Sequence, residues 1–197
     1  MRLFFAIALP TTVADALAST VGKLAHTRAD VKWVAAANFH ITVKFLGETD
    51  EALLPELSAR LDRAAAQVHA FDLEIEGIDR LPERGPVRVI MSRVINPDNR
   101  LIKIHRLIDS AVGGIGLPMD MRALMPHITL GRVSSNHGLN KLLRLVEKHD
   151  LDFFGKFTVT HVSLLASTLT PAGSVYRVVH TSELAMPQVA VQPANRG

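Results

Sequence analysis

No cysteine occurs anywhere in the chain. Disulfides, thiolate zinc sites and a cysteine nucleophile are therefore excluded together. The lack suits a reducing compartment, and the cytoplasm is the expected location. Aromatic side chains are scarce, with one Trp and one Tyr in 197 residues, so the core must rest on Leu, Val, Ile and Ala. No apolar run is long enough to span a bilayer. No block of Lys and Arg is long enough to make a basic arm that wraps a duplex. The net charge is only +3 with histidines neutral, and the pI is about 9.5. That balance is compatible with a phosphate-bearing partner touched at one end or at one phosphate. What remains is ordinary for a globular chain: 48% apolar and 21% charged residues, long enough to close a core.

Arg2 followed by the apolar run Leu3 to Leu9 has the outline of a short signal peptide, but Pro10 ends the run early. We read residues 2–9 as a buried strand, with Thr11 or Thr12 capping the helix that follows. Residues 12–28 form that helix, with Val13, Leu17, Val21 and Leu24 on one face. Strands are predicted at 31–34 and 39–46, then a helix over 51–68. Phe71, Leu73 and Ile75 alternate with acidic residues, which predicts a half-exposed strand over 70–78. A loop at 81–86 and a strand at 87–94 follow. Asn96-Pro97-Asp98 opens a helix that Gly113-Gly114 ends, and 115–125 is irregular. A strand at 127–133, a helix at 138–149 and two strands at 153–165 and 174–182 complete the order. The tail from Pro187 has no periodicity and is expected to be disordered. The pairing of strands between helices points to an α+β fold with antiparallel or mixed sheets and helices on their outer faces.

One short pattern occurs twice. Phe39-His40-Ile41-Thr42-Val43-Lys44-Phe45-Leu46-Gly47 is answered by Pro126-His127-Ile128-Thr129-Leu130-Gly131-Arg132. The repeat points to two related halves, each contributing one strand. Residues i and i+2 of a strand share a face, so His40 and Thr42 stand together, and so do His127 and Thr129. If the two strands face one cleft, two imidazoles and two hydroxyls converge. Imidazole exists in both protonation states near neutrality, so one histidine can act as base and the other as acid. Phosphodiester cleavage needs both at once, in line through phosphorus, and threonine hydroxyls can donate to the non-bridging oxygens.

A single His-x-Thr in a strand carries little weight. His161-Val162-Ser163-Leu164 is such a near-match, and we read it as an ordinary strand segment. The other histidines, His26, His69, His105, His137, His149 and His180, show no metal-ligand spacing. Neither a phosphate-binding Gly-x-x-x-x-Gly-Lys loop nor a Gly-x-Ser-x-Gly elbow is present.

At the doubled motif the sequence resembles the two-histidine phosphoesterase superfamily, and within it the RNA 2′,3′-cyclic phosphodiesterases long called 2′-5′ RNA ligases. The likeness runs from Met1-Arg2-Leu3-Phe4-Phe5-Ala6-Ile7 through Lys32-Trp33-Val34 and both motifs to Leu164, Ser167, Leu169, Gly173 and Tyr176. The resemblance implies a bilobal, pseudo-twofold fold over residues 1–186, two sheets facing a central cleft, and neither metal nor cofactor. It implies that His40 donates a proton and His127 accepts one, with Thr42 and Thr129 binding phosphate oxygens. The near-symmetry of such a cleft leaves the reversed assignment open.

Arg132 is a candidate for gripping phosphate, as the family often has arginine there. Strand parity sets it on the face opposite His127 unless a bulge intervenes. Lys44 has the parity of His40 and Thr42 and is a candidate for a flanking RNA phosphate. Its alternative is a solvated strand end. Trp33 and Tyr176 can stack a base or simply pack, and Phe45 has core parity. The second motif departs from the family in having Met125, not a basic residue, before Pro126.

The expected partner is an RNA 3′ end, or a small nucleotide, carrying a cyclic phosphate, bound by a monomer. Two rivals stand beside it: a phosphodiesterase for small cyclic nucleotides or 2′-5′ oligonucleotides, and an RNA-binding module without catalysis. The second is disfavoured by the presence of both histidines and both threonines.

Overall fold

The computed structural model describes residues 1–171 and 173–186. The expectation about the tail from Pro187 lies outside these residues. The strands are β1 (Arg2–Ala8), β2 (Val31–Trp33), β3 (His40–Glu48), β4 (Phe71–Leu81), β5 (Val89–Ile95), β6 (His127–Val133), β7 (Phe153–Val159), β8 (His161–Thr170) and β9 (Gly173–Glu183). The helices are α1 (Thr11–Ala25), α2 (Leu54–Ala65), α3 (Arg100–Gly113) and α4 (Leu139–Lys148). The predicted strand over 153–165 is two strands, β7 and β8, divided at Thr160. Neither Thr11 nor Thr12 caps α1. Pro10 holds the cap position, and its carbonyl accepts from the Val13 and Ala14 N–H groups.

The strands form one curled sheet in the order β7-β4-β5-β6-β3-β1-β8-β9, with β2 added on β6, and every named pair is antiparallel. It behaves as two half-sheets, β7-β4-β5-β6 and β3-β1-β8-β9. Their junction is a single residue pair, Ile41 with Ile128. The two sheets expected from the repeat are thus joined along one edge. α1 and α4 pack against β7 and β4, while α2 and α3 pack against β8, β9 and β3.

The helices cover one face of the sheet. Val13, Leu17, Val21 and Leu24 of α1 are buried at the predicted spacing, and Phe71, Leu73 and Ile75 of β4 are buried while Asp72 is exposed. Leu3, Phe5, Ile7, Ile41, Val43, Ile75, Ile90, Ile128 and Leu130 belong to the same core. By the period of two, the alternate residues of these strands line the other face. Among the described residues, no helix is long and apolar enough to cross a membrane.

Candidate active site

His40 and Thr42 stand on β3, His127 and Thr129 on β6, all on the face away from the helices. All four are half-buried. Their partners Ile41 and Ile128 are fully buried and make the one pair that joins the half-sheets. The antiparallel register about that pair sets His40 across from Thr129 and Thr42 across from His127. The ladder does not extend to these neighbours, so the strands part beside the four candidate residues. The core side of the motif closes the sheet, and the polar side opens a slot.

Each histidine is held in the same way. His40 Nδ1 lies 2.8 Å from the Asn38 carbonyl, and His127 Nδ1 lies 2.8 Å from the Met125 carbonyl. A carbonyl only accepts, so each Nδ1 carries the hydrogen and each Nε2 is left to exchange protons. His40 Nε2 is 3.1 Å from Thr42 Oγ1, whose hydroxyl donates to it when the ring is neutral.

The surroundings of the two rings differ. Phe4 and Tyr176 wall in His40, with ring centroids 5.0 and 5.2 Å from it and 5.1 Å from one another. Loss of water around the ring is the main force holding the His40 pKa below its usual value. The bond to the Asn38 carbonyl opposes this, and the positive charges of His127 and Arg132 reinforce it.

Two bulges decide what else faces the slot. On β3, Ala6 pairs with Thr42 and Phe5 with Lys44, so Val43 is an extra residue. On β6, Met91 pairs with Thr129 and Ile90 with Gly131, so Leu130 is extra. Each bulge reverses the parity of everything beyond it. Arg132 therefore returns to the face of His127 and Thr129, where it is exposed.

Lys44 goes the other way, and its expected contact with a flanking phosphate is corrected. The side chain is 2% exposed on the helix side. Nζ lies 2.7 Å from Asp109, 3.0 Å from Asp120 and 2.9 Å from the Pro118 carbonyl. The residue that takes the lysine's place on the open face is Phe45, 52% exposed, with the Arg2 guanidinium 5.7 Å from its ring centroid. Unbroken strand parity predicts Phe45 in the core, and the bulge at Val43 turns it out. The signal that points to it is the equal spacing of Phe45 from His40 and of Arg132 from His127.

Trp33 pairs with Gly131 and packs over it, as a packing residue does. His161 is exposed at the start of β8, bonded to the neighbouring Thr160 hydroxyl, and is not brought to the pair. Arg93, unmarked in the sequence, pairs in register with His127 but is held by Asp150 and Asp79. Among the described residues, no group of three His, Asp or Glu is placed to hold a metal ion.

The chain as a whole is similar to known proteins. A family model described as the 2′-5′ RNA ligase superfamily matches residues 13–170. An RNA 2′,3′-cyclic phosphodiesterase of Methanocaldococcus jannaschii is 36% identical over 180 residues, 91% of this chain and 98% of that protein. One from Thermotoga maritima is 30% identical over 181 residues, 91% and 94% of the two chains. Among solved structures, TT0787 of Thermus thermophilus superposes with a TM-score of 0.79 at 27% identity, covering 95% of this chain and 100% of that one. E. coli LigT complexed with 3′-AMP superposes with a TM-score of 0.76 at 26% identity, covering 94% and 98%.

Proposed function

The chain belongs to the 2′-5′ RNA ligase superfamily, and from that membership we propose that it hydrolyses the 2′,3′-cyclic phosphate at an RNA 3′ end to a 2′-phosphomonoester, without a metal ion. The observation that carries this reading is the pair of imidazoles fixed through Nδ1 by backbone carbonyls, with Nε2 turned to the slot on strands that part beside them. His127 takes a proton from water as its oxygen attacks phosphorus. His40 gives a proton to the departing 3′ oxygen. Thr42 and Thr129 donate to the non-bridging oxygens, where charge accumulates, and Arg132 grips the phosphate through its fork of N–H donors. Phe45 offers a flat apolar face at the rim for a neighbouring base. One chain supplies every group, so the reading needs only a monomer, and we take the cytoplasm as its setting. Run backwards, with acid and base exchanged, the same groups join RNA ends through a 2′-5′ bond.

One observation favours a second assignment. Burial keeps His40 neutral to lower pH than an ordinary histidine, which in the free protein suits a proton acceptor. The first assignment answers this through the substrate. A bound phosphodiester anion offsets the positive charges of Arg132 and His127 and raises the His40 pKa, so the proton arrives with the substrate.

The test is hydrolysis of a dinucleotide ending in 2′,3′-cyclic phosphate, in excess EDTA, by wild type, His40→Ala and His127→Ala. We expect a 2′-phosphate product, with each variant slowed by about 10²- to 10⁴-fold. No wild-type turnover on such ends would overturn the reading in favour of a binding protein or another phosphodiester substrate. Activity that EDTA abolishes and a divalent metal restores would overturn its metal-free part.

A further inference from the structure

His40 is oriented by a carbonyl and walled by an aromatic ring, and both lead to one residue. Asn38 ends the 3-10 turn Ala36–Asn38 that precedes β3, and its carbonyl accepts from His40 Nδ1 at 2.8 Å. Its side chain reaches the far end of the chain. Asn38 Nδ2 donates to the Ser174 carbonyl at 2.7 Å, across 136 positions of sequence. Ser174 is the second residue of β9, two before Tyr176, and β9 is the outermost strand of its half-sheet. The tip of the β8–β9 hairpin therefore has this bond as a tie to the turn that carries His40.

We propose that Asn38 is a positioning residue for catalysis: its carbonyl sets the His40 tautomer while its side-chain amide clamps β9, holding the Tyr176 ring against the histidine and water away from it. The proposal rests on the reading of His40 as a working acid–base group. An edge strand is hydrogen-bonded to a neighbour on one side only, and a ring in edge contact at 5.2 Å excludes water only while its strand is held. The pseudo-twofold partner of Asn38 is Met125, which gives His127 the same backbone carbonyl but has no side-chain donor. The clamp thus belongs to one histidine of the pair. It matches the difference in their surroundings, since among the described residues two aromatic rings flank His40 and none is in ring contact with His127.

The charged groups that bear on His40 are His127 and Arg132 from β6, while β9 presents the Tyr176 ring and β1 presents Phe4. None of them is changed by Asn38→Ala, and the Asn38 backbone carbonyl stays. The deciding measurement is an NMR titration of the His40 ring in the free, full-length protein. In Asn38→Ala water reaches the ring, desolvation weakens, and the midpoint moves to higher pH by about half a unit or more. Tyr176→Leu, which removes the wall and keeps the clamp, gives the same upward shift. Tyr176→Phe, which keeps the ring, leaves the midpoint where it is. In turnover, Asn38→Ala lowers kcat by about tenfold or more with KM little changed, and the limb of the pH profile that belongs to His40 moves up with the titration.

A His40 midpoint unmoved in Asn38→Ala overturns the proposal, and so does a raised KM at unchanged kcat, the mark of a substrate contact. If Asn38→Ala fails to fold, Tyr176→Leu decides alone, and an unmoved midpoint there is equally fatal. Because the titration needs no substrate, a protein that cleaves no cyclic phosphate would sink the proposed activity and leave the clamp to be judged on its own result.

Discussion

His40 and His127 are the same residue type in the same motif, each bonded through Nδ1 to a carbonyl two residues earlier. The rings around His40, its bond to Thr42 and the Asn38 clamp tell them apart. Which one gives the proton to the leaving group can be decided chemically. A cyclic substrate with sulfur in place of the 3′ oxygen has a leaving group of low pKa that departs with little help from an acid. On that substrate His40→Ala should recover most of its lost rate, to within about tenfold of wild type, while His127→Ala stays slow. The opposite pattern would reverse the roles and agree with the lowered pKa of His40 in the free protein. His40, Thr42, His127 and Thr129 were legible as candidates because a doubled His-Ile-Thr needs only the period of a strand to be read. The aromatic wall was not, since nothing local ties Phe4 or Tyr176 to the motif.

The hydrophobic periods of the helices and of β4 were legible because each rests on neighbours within a turn or two. The bulges in β3 and β6 were not. A bulge is a relation between two strands, and its residues, Val43 and Leu130, look like any other apolar strand residue. Its effect is large: it exchanges Lys44 for Phe45 and Gly131 for Arg132 on the open face. Gly131 fits because a Cβ there would stand 2.6 Å from Val31 Cγ1 and 2.8 Å from Trp33 Cε3, so β2 closes over that site only without a side chain. Lys44 fits by pairing with Asp109. Desolvation works against that carboxylate, but the Lys44 ammonium and the Asp120 N–H outweigh it and hold its pKa below the usual range. Removing the lysine strands a buried carboxylate, a loss of about 3–5 kcal/mol. Lys44→Met should therefore lower the urea midpoint markedly near pH 7. As pH falls through the depressed Asp109 pKa, protonation erases the charge that the lysine stabilises, and the gap between variant and wild type should narrow. KM for the cyclic dinucleotide should stay near its wild-type value in the folded variant. A KM that rises severalfold with stability intact would restore Lys44 as a phosphate contact.

At the scale of the molecule, the repeat foretold two halves, but it could not tell which strands each half recruits. β1 from the start of the chain and β8 and β9 from its end complete the half-sheet of β3, while β4 to β7 build that of β6. Such long-range pairing leaves no mark in any short window of sequence. Charge, by contrast, is a whole-chain quantity that the sequence does give, and +3 with no basic block implies few phosphate contacts. Each phosphate neutralised on a single strand contributes about −0.7 to the slope of log affinity against log salt. A site gripping the cyclic phosphate through Arg132, with at most one neighbour, should show a slope for kcat/KM near −0.7 to −1.4. Lengthening the RNA beyond a few nucleotides should then leave KM almost unchanged. Arg132→Gln should remove about 0.7 of that slope as well as slowing turnover, because it deletes one phosphate contact. A slope several times steeper, growing with RNA length and indifferent to Arg132, would mean that RNA is held along an extended surface. The slot between the two motifs would then be only the place where a longer-range grip delivers its end.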